Sequence, residues 1–215
     1  MFKKVQKSLV NKIQSANIYN NGHYYRPNYS WLRKRARLYL RQLLRQVEVY
    51  QGQRILEVGC DQGQLTEQLR DFSSLVVGVD INAKAVEKSG KEYLQVMDAQ
   101  ALQFPDGSFD LVVSANTIEH IPDLAKAIHE FERVLGVGGF LILIYPWEPI
   151  RGMTVLPEAL LVYRSLKVCR LFHIHKLTPR KIDHLIVGTA LVQRNWKLFL
   201  GPHPMFISIL YKKDS

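Results

Sequence analysis

Apolar residues in this chain fall into short runs, and two spacings alternate from residue 51 onward. Arg54–Val58, Leu75–Val79, Tyr93–Met97, Phe109–Ala115 and Phe140–Tyr145 are compact runs rich in aliphatic residues, the pattern of buried strands. Between them, Gln64–Asp71, Ala83–Lys88 and Pro122–Leu135 carry apolar residues at helical spacing. In the last of these, Pro122 fits the first helical turn and Gly136 follows the end. Strand and helix in strict alternation predict an α/β fold with a mostly parallel sheet and helices on both faces.

The two flanks depart from that rhythm. Residues 1–30 are polar, rich in Asn and Tyr, and read as an arm or short helix. Residues 30–48 read as a helix with Ser30 as its cap and Leu32, Ala36, Tyr39, Leu40, Leu43 and Val47 on one side. Arg33, Arg37, Arg41 and Arg45 recur every fourth residue on another side. After the fifth strand, Val155–Phe172 reads as an amphipathic helix. Thr178–Val187 reads as another, with Thr178 as cap and Pro179 first inside. Leu191–Leu200 and Phe206–Tyr211 read as strands; the four-residue joint between them is too short for a crossover, so the pair is antiparallel. The resulting division is a basic N-terminal arm and helix, 1–50, and a main domain, 51–215, in which 146–188 is a helical insertion.

Composition narrows the class. The chain has 215 residues, 47% hydrophobic and 22% charged, which suits one globular domain with an appendage. Its longest uninterrupted apolar run is far short of the ~20 residues that span a bilayer. The Met-Phe-Lys-Lys start lacks an apolar signal core, and two cysteines make no disulfide framework, so a reducing cytoplasm is expected. The net charge of +10 is uneven: residues 1–50 carry eleven bases and one acid, residues 51–150 seven bases and fifteen acids, and the remainder eleven bases and three acids. Basic, partly apolar flanks suit an anionic acceptor, an anionic membrane face or, less readily, a nucleic acid.

Chemistry gathers at the ends of the predicted strands. Glu57-Val58-Gly59-Cys60-Asp61-Gln62-Gly63 runs from strand through a glycine-bearing turn into a helix, where backbone can approach a ligand closely. Asp80, at the end of the second strand and about 20 residues beyond that turn, is placed to accept from a ribose hydroxyl pair. Asp98 ends the third strand and can accept from an exocyclic amine. The fourth strand ends in a polar loop with Asn116, Glu119 and His120, on the edge where open α/β sheets bind ligands.

These stretches, together with Phe104-Pro105-Asp106-Gly107-Ser108-Phe109-Asp110 and Ile118-Glu119-His120, resemble in order and spacing the motifs of class I S-adenosylmethionine-dependent methyltransferases. The resemblance covers residues 51–146, about half the chain, and is nearest in kind to small-molecule methyltransferases, including those of quinone and lipid biosynthesis. It implies a Rossmann-like sheet of seven strands with an antiparallel last strand, and S-adenosylmethionine as cofactor. It further implies that Glu57, Gly59, Cys60, Asp61 and Gly63 surround the methionine part, Asp80 holds the ribose hydroxyls and Ile81 lies against adenine. By the same resemblance Asp98 takes the adenine amine, Ala99 adds a backbone contact, and Asn116 lies near the sulfonium. One departure stands out: the family usually has glycine where this chain has Asp61. Aspartate tolerates left-handed backbone, and its charge would either repel the methionine carboxylate or pair with the amino group.

Methyl transfer from a sulfonium is a direct displacement, so the protein supplies alignment and, for a hydroxyl acceptor, a base. His120 is the expected base. Glu119 is placed to orient it or to bind a metal, and no metal set is assigned. His173, His175, His203 and Trp147 are secondary candidates for the acceptor side. The acceptor is expected to be small, lipid-like or quinone-like. Three other readings compete with it: an RNA methyltransferase, supported by Tyr24, Tyr25, Tyr29 and Trp31 beside the arginine stripe; a non-catalytic binding module on the same fold; and a nicotinamide-dependent oxidoreductase, disfavoured by Asp61 and the antiparallel tail. The oligomeric state is left open.

Overall fold

The predicted alternation folds as a single sheet. In the computed structural model, which describes residues 44, 47, 52–150, 153, 156, 173–199 and 206–215, the strands are β1 (Ile55–Val58), β2 (Val76–Asp80), β3 (Leu94–Val96), β4 (Phe109–Ala115), β5 (Leu135–Pro146), β6 (Leu191–Phe199) and β7 (Phe206–Lys213). Their spatial order is β3-β2-β1-β4-β5-β7-β6. The first five pair in parallel, and β7 runs antiparallel to both β5 and β6. The seven-stranded sheet with its reversed last strand is the one the sequence predicts. Helices α1 (Gln64–Arg70), α2 (Ala83–Ser89), α3 (Leu124–Val134) and α4 (Pro179–Leu185) and a 3-10 turn at Ile118–His120 complete the described elements.

Alternation along the central strands builds two cores. Val112, Leu141, Leu143 and Tyr145 pack with Leu124, Ile128 and Phe131 of α3 and Ile182 of α4. The residues between them, Leu111, Val113, Ile142 and Ile144, pack with Leu69 of α1 and with Leu44 and Val47. The central strands are apolar on both faces because both faces are covered.

Several boundaries differ from the sequence pattern. The third helix begins at Leu124, not Pro122, because Asp123 caps it by accepting from the Lys126 N–H at 3.1 Å. Strand β5 begins at Leu135, well before Phe140: Leu135 pairs with Phe109 across an irregularity between Phe109 and Leu111. The Gly136–Gly139 stretch reads as a turn in sequence, but at Gly139 a Cβ would lie 2.9 Å from the Asp110 carbonyl oxygen, so glycine there permits close backbone approach. Thr178 caps α4, with Pro179 in its first turn, as the pattern requires. The helices expected at 30–48 and 155–172, the arm 1–30 and the joint 201–204 lie outside the described residues, apart from single positions. One of those, Leu44, is helical and 2% exposed. Among the described residues no helix is long and apolar enough to cross a membrane.

Candidate cofactor and acceptor site

Parallel strands deliver all five of their carboxyl ends to one edge, and the polar residues collect there. Between β1 and α1 the chain turns through Gly59 (φ 85°), Asp61 (φ 49°) and Gly63 (φ 75°), three left-handed residues. The Gly59 and Cys60 N–H groups donate to the Val79 carbonyl at 2.8 and 3.0 Å, which ties the turn to the end of β2. A Cβ on Gly59 would fall 1.9 Å from Thr117 Oγ1, so the turn passes against the loop after β4 with no room for a side chain. Asp61 holds its left-handed backbone without glycine, as its short polar side chain permits. Cys60 is 4% exposed, and burial pushes its thiol up, so it is a packing residue and not a nucleophile.

Asp80 stands in the middle of this cradle. Its Oδ2 accepts from the Asp61 N–H at 2.7 Å and its Oδ1 from the Asn82 N–H at 2.8 Å. The Ile81 backbone N–H also acts on this carboxylate, and of its roughly four acceptor positions some capacity remains for a ligand hydroxyl. Burial holds Asp80 above the usual carboxylate range. Glu57, 3% exposed, accepts from the Thr66 hydroxyl of α1. Burial, with the neighbouring Asp80 and Asp61 charges adding to it, pushes the Glu57 carboxyl up to about 8. Beside Asp80, Ile81 is 55% exposed, an apolar plate at the open edge. Asp98 accepts from the Gln100 N–H at 2.8 Å and from Gln100 Nε2 at 2.9 and 3.1 Å. Gln100 in turn accepts from the Asp123 N–H at 3.0 Å, linking the ends of β3 and α3. Ala99 packs against the first core, and Asn116 (φ 53°) donates its N–H to the Ile144 carbonyl at 2.8 Å.

The edge therefore carries a glycine-lined turn, a carboxylate with spare acceptor positions and an exposed aliphatic plate. Asp61 and Asp80 stand close enough to Glu57 for their charges to raise its carboxyl. Such a cradle favours a cation and repels a pyrophosphate. It fits a ligand bearing sulfonium and ammonium groups, a ribose and an adenine, and argues against a dinucleotide.

A second group lies at the ends of β4 and β5. The 3-10 turn presents Glu119, 2% exposed, and His120, with His120 Nε2 at 3.8 Å from Glu119 Oε1. Glu148, just past β5, is 4% exposed and lies 2.9 Å from His173 Nδ1. The His173 and His120 rings are 5.0 Å apart at 72°. The strap that carries His173 is sewn to the turn: the Ile174 and His175 N–H groups donate to the Glu119 carbonyl at 3.0 and 3.3 Å. Burial pushes Glu119 up to about 7, partly countered by His173. Burial also opposes charge on His173, but the Glu148 hydrogen bond and the Glu119 and Glu148 charges outweigh it and hold His173 above the usual range. Glu119, His120 and His173 each offer a ligand atom within 4.8 Å of the others. The sequence pattern assigns Glu148 no role and makes His173 only a secondary candidate. His175 is committed to the backbone, 2.8 Å from the Ile121 carbonyl, and Trp147 packs against the core. His203 lies outside the described residues.

Comparison with known proteins agrees with this geometry. A family profile described as a methyltransferase domain matches residues 56–143, from β1 into β5. This segment is a class I S-adenosylmethionine-dependent methyltransferase domain. The family and fold imply S-adenosylmethionine as the cofactor. The chain is similar to 2-methyl-6-phytyl-1,4-hydroquinone methyltransferase of Synechocystis, 36% identical over 43% of this chain and 31% of that protein. It is also similar to the chloroplastic tocopherol O-methyltransferase of Arabidopsis thaliana, 31% identical over 56% of this chain and 38% of that one. The chain thus spans about a third of the length of these relatives. A solved protein of Pyrococcus horikoshii shares the methyltransferase domain's architecture with a TM-score of 0.64, at 20% identity over 90% of this chain and 96% of that one.

Proposed function

We propose that the chain transfers the methyl group of S-adenosylmethionine to a hydroxyl of a small hydrophobic or anionic acceptor of the quinol type. The observation that carries this reading is the group of buried Glu119, His173 and Glu148 with half-buried His120, which stands on the same sheet edge as the acidic cradle. A histidine and carboxylate group beside a methyl donor suits an acceptor that must lose a proton, as a hydroxyl does. Two similar proteins are named for a hydroquinone and for tocopherol O-methylation, which supports the same acceptor class.

Bound in the cradle, the cofactor supplies an activated methyl group and a neutral leaving sulfide. The chain supplies the rest. Asp80 accepts from the ribose hydroxyls, Ile81 backs the adenine, and Asp98 takes the adenine amine. The Gly59–Gly63 turn admits the methionine part, and Asp61 pairs with its ammonium. Asn116 borders the sulfonium side, His120 takes the acceptor's proton and Glu119 orients His120. The basic, partly apolar sequence of 1–50 and 146–188 suits an anionic acceptor or an anionic membrane face. Calorimetric titration with S-adenosylmethionine and S-adenosylhomocysteine, with Asp80→Ala as control, tests the cradle. Transfer of labelled methyl to a quinol, to an acidic lipid and to RNA tests the acceptor. Transfer to RNA alone would replace this reading, and no cofactor binding by the folded chain would end it.

A further inference from the structure

The group at the ends of β4 and β5 carries more than a base. Glu119 Oε2 is buried and has no hydrogen-bond partner among the described residues. An orphaned carboxylate oxygen inside a protein is costly, and such atoms commonly belong to an ion site. The orphan sits beside two imidazoles, and the ligand atoms of Glu119, His120 and His173 are all within 4.8 Å of one another. Four-coordinate zinc, with bonds of about 2.1 Å, separates its ligand atoms by about 3.4 Å. Closing the widest gap is therefore a matter of side-chain rotation. Glu148 holds His173 by Nδ1 at 2.9 Å, which fixes the ring and leaves Nε2 for coordination. A carboxylate behind a ligating histidine is the usual support of such a site. The strap bonds from Ile174 and His175 to the Glu119 carbonyl fix the distance between the two ligand-bearing segments.

We propose that Glu119, His120 and His173 bind one divalent transition-metal ion of the zinc type, with Glu148 as the orienting carboxylate and the fourth position open to an acceptor oxygen. Two imidazoles and one carboxylate select such an ion over magnesium or calcium, which take oxygen ligands. Three protein ligands with an open position are the pattern of a reactive site and not of a closed structural one. The ion stands on these residues alone; the use of its open position rests on the methyl transfer proposed above. There, an acceptor hydroxyl on the ion releases its proton to water. Its oxygen then bonds the methyl carbon as the methyl–sulfur bond breaks, with the electron pair staying on sulfur. The ion takes over from His120 the task of making the oxygen nucleophilic.

The test uses the full, untagged chain, stripped with a chelator and titrated with zinc sulfate. One zinc per chain is expected. Binding is expected to weaken at least tenfold in Glu119→Gln and in His173→Ala, and ten- to a hundredfold in Glu148→Gln. S-adenosylhomocysteine affinity should stay within twofold in all three, which also reports that they fold. Should the variants not fold, cobalt(II) in the wild-type chain decides: a visible spectrum of tetrahedral type supports the site, and an octahedral one overturns it. No zinc binding by wild-type chain that binds S-adenosylhomocysteine overturns the proposal, as does equal binding by folded His173→Ala. Zinc binding without methyl transfer to any hydroxyl acceptor leaves the site standing and removes the proposed function. Transfer to a quinol by a chain that binds no zinc does the reverse.

Discussion

Glu57→Gln isolates the electrostatics of the cradle. In the folded chain the Glu57 carboxyl titrates near 8, against an ordinary value of 4.5, chiefly because burial disfavours its charge. The folded state therefore holds this proton more tightly than the unfolded state between those two pH values. Stability must fall as pH rises through that window, since the unfolded chain releases the proton first. One pH unit of displacement corresponds to about 1.4 kcal/mol, so the full loss is on the order of 4–5 kcal/mol. The glutamine variant keeps the shape, can still accept from Thr66, and has nothing to ionise. Urea unfolding followed by tryptophan fluorescence, run on both proteins from pH 5 to 9, measures the difference directly, because every other group titrates in both. At pH 5 the two should agree to within about 1 kcal/mol, and by pH 9 the variant should be the more stable by about 4–5 kcal/mol. A difference that stays constant across the range would mean that Glu57 is ionised and solvated throughout, and the account of an acid-crowded, desolvated cradle would be wrong.

Three further outcomes follow from particular contacts. Gly59→Ala places a Cβ 1.9 Å from Thr117 Oγ1 at a φ of 85°; it should cost about 2–5 kcal/mol from left-handed strain and overpacking together, and Thr117→Gly should recover only the steric part in a double-mutant urea series. Asp80→Ala removes the acceptor of the Asp61 and Asn82 N–H groups and the proposed acceptor of the ribose diol; cofactor affinity by calorimetry should fall about a hundredfold or more, and Asp80→Asn should fall less. Arg133 donates to the Phe104 and Leu102 carbonyls at 2.7 and 2.8 Å and pairs with Glu130 and Asp106; Arg133→Met should cost about 1–3 kcal/mol in the same unfolding assay, and Arg133→Lys should not restore it, because one ammonium cannot serve a forked set of acceptors.

What could be read from the sequence was what depends on neighbours along the chain. The buried strands announce themselves because both their faces are apolar, and Asp80 and Asp98 are legible because a carboxylate stands at the end of β2 and two residues past the end of β3. The left-handed state of Asp61 is legible too, since the turn needs that conformation and aspartate is among the few non-glycine residues that adopt it. The true start of β5 was hidden, because Gly136-Val137-Gly138-Gly139 looks like a turn while its glycines serve a close backbone crossing. The Glu119–His120–His173–Glu148 group was hidden for a different reason. Its members belong to two loops and a strap, and only the return of the chain after 173 along the 3-10 turn brings them together. No periodicity records a contact of that kind.

The charge asymmetry of the sequence takes on a sharper meaning in the fold. Residues 51–150 hold fifteen acids against seven bases, and Glu57, Asp61, Asp80, Asp98, Glu119 and Glu148 all come to the edge where the parallel strands end. Strand-to-helix turns at such an edge usually attract anions, because free backbone N–H groups gather at the helix N-terminus. Here Asp80 takes the Asp61 N–H for itself. The donors that would hold a phosphate are thus partly spent on a protein carboxylate, and the charge of the cradle at neutral pH comes from Asp61 and Asp80, with Glu57 largely protonated. A Rossmann-like sheet is in this way turned from a pyrophosphate site into a cation site without any change of topology. The sign of the edge, more than its glycine spacing, separates a sulfonium donor from a dinucleotide. The same edge continues to Glu119 and Glu148, where the proposed divalent ion would stand beside the acceptor.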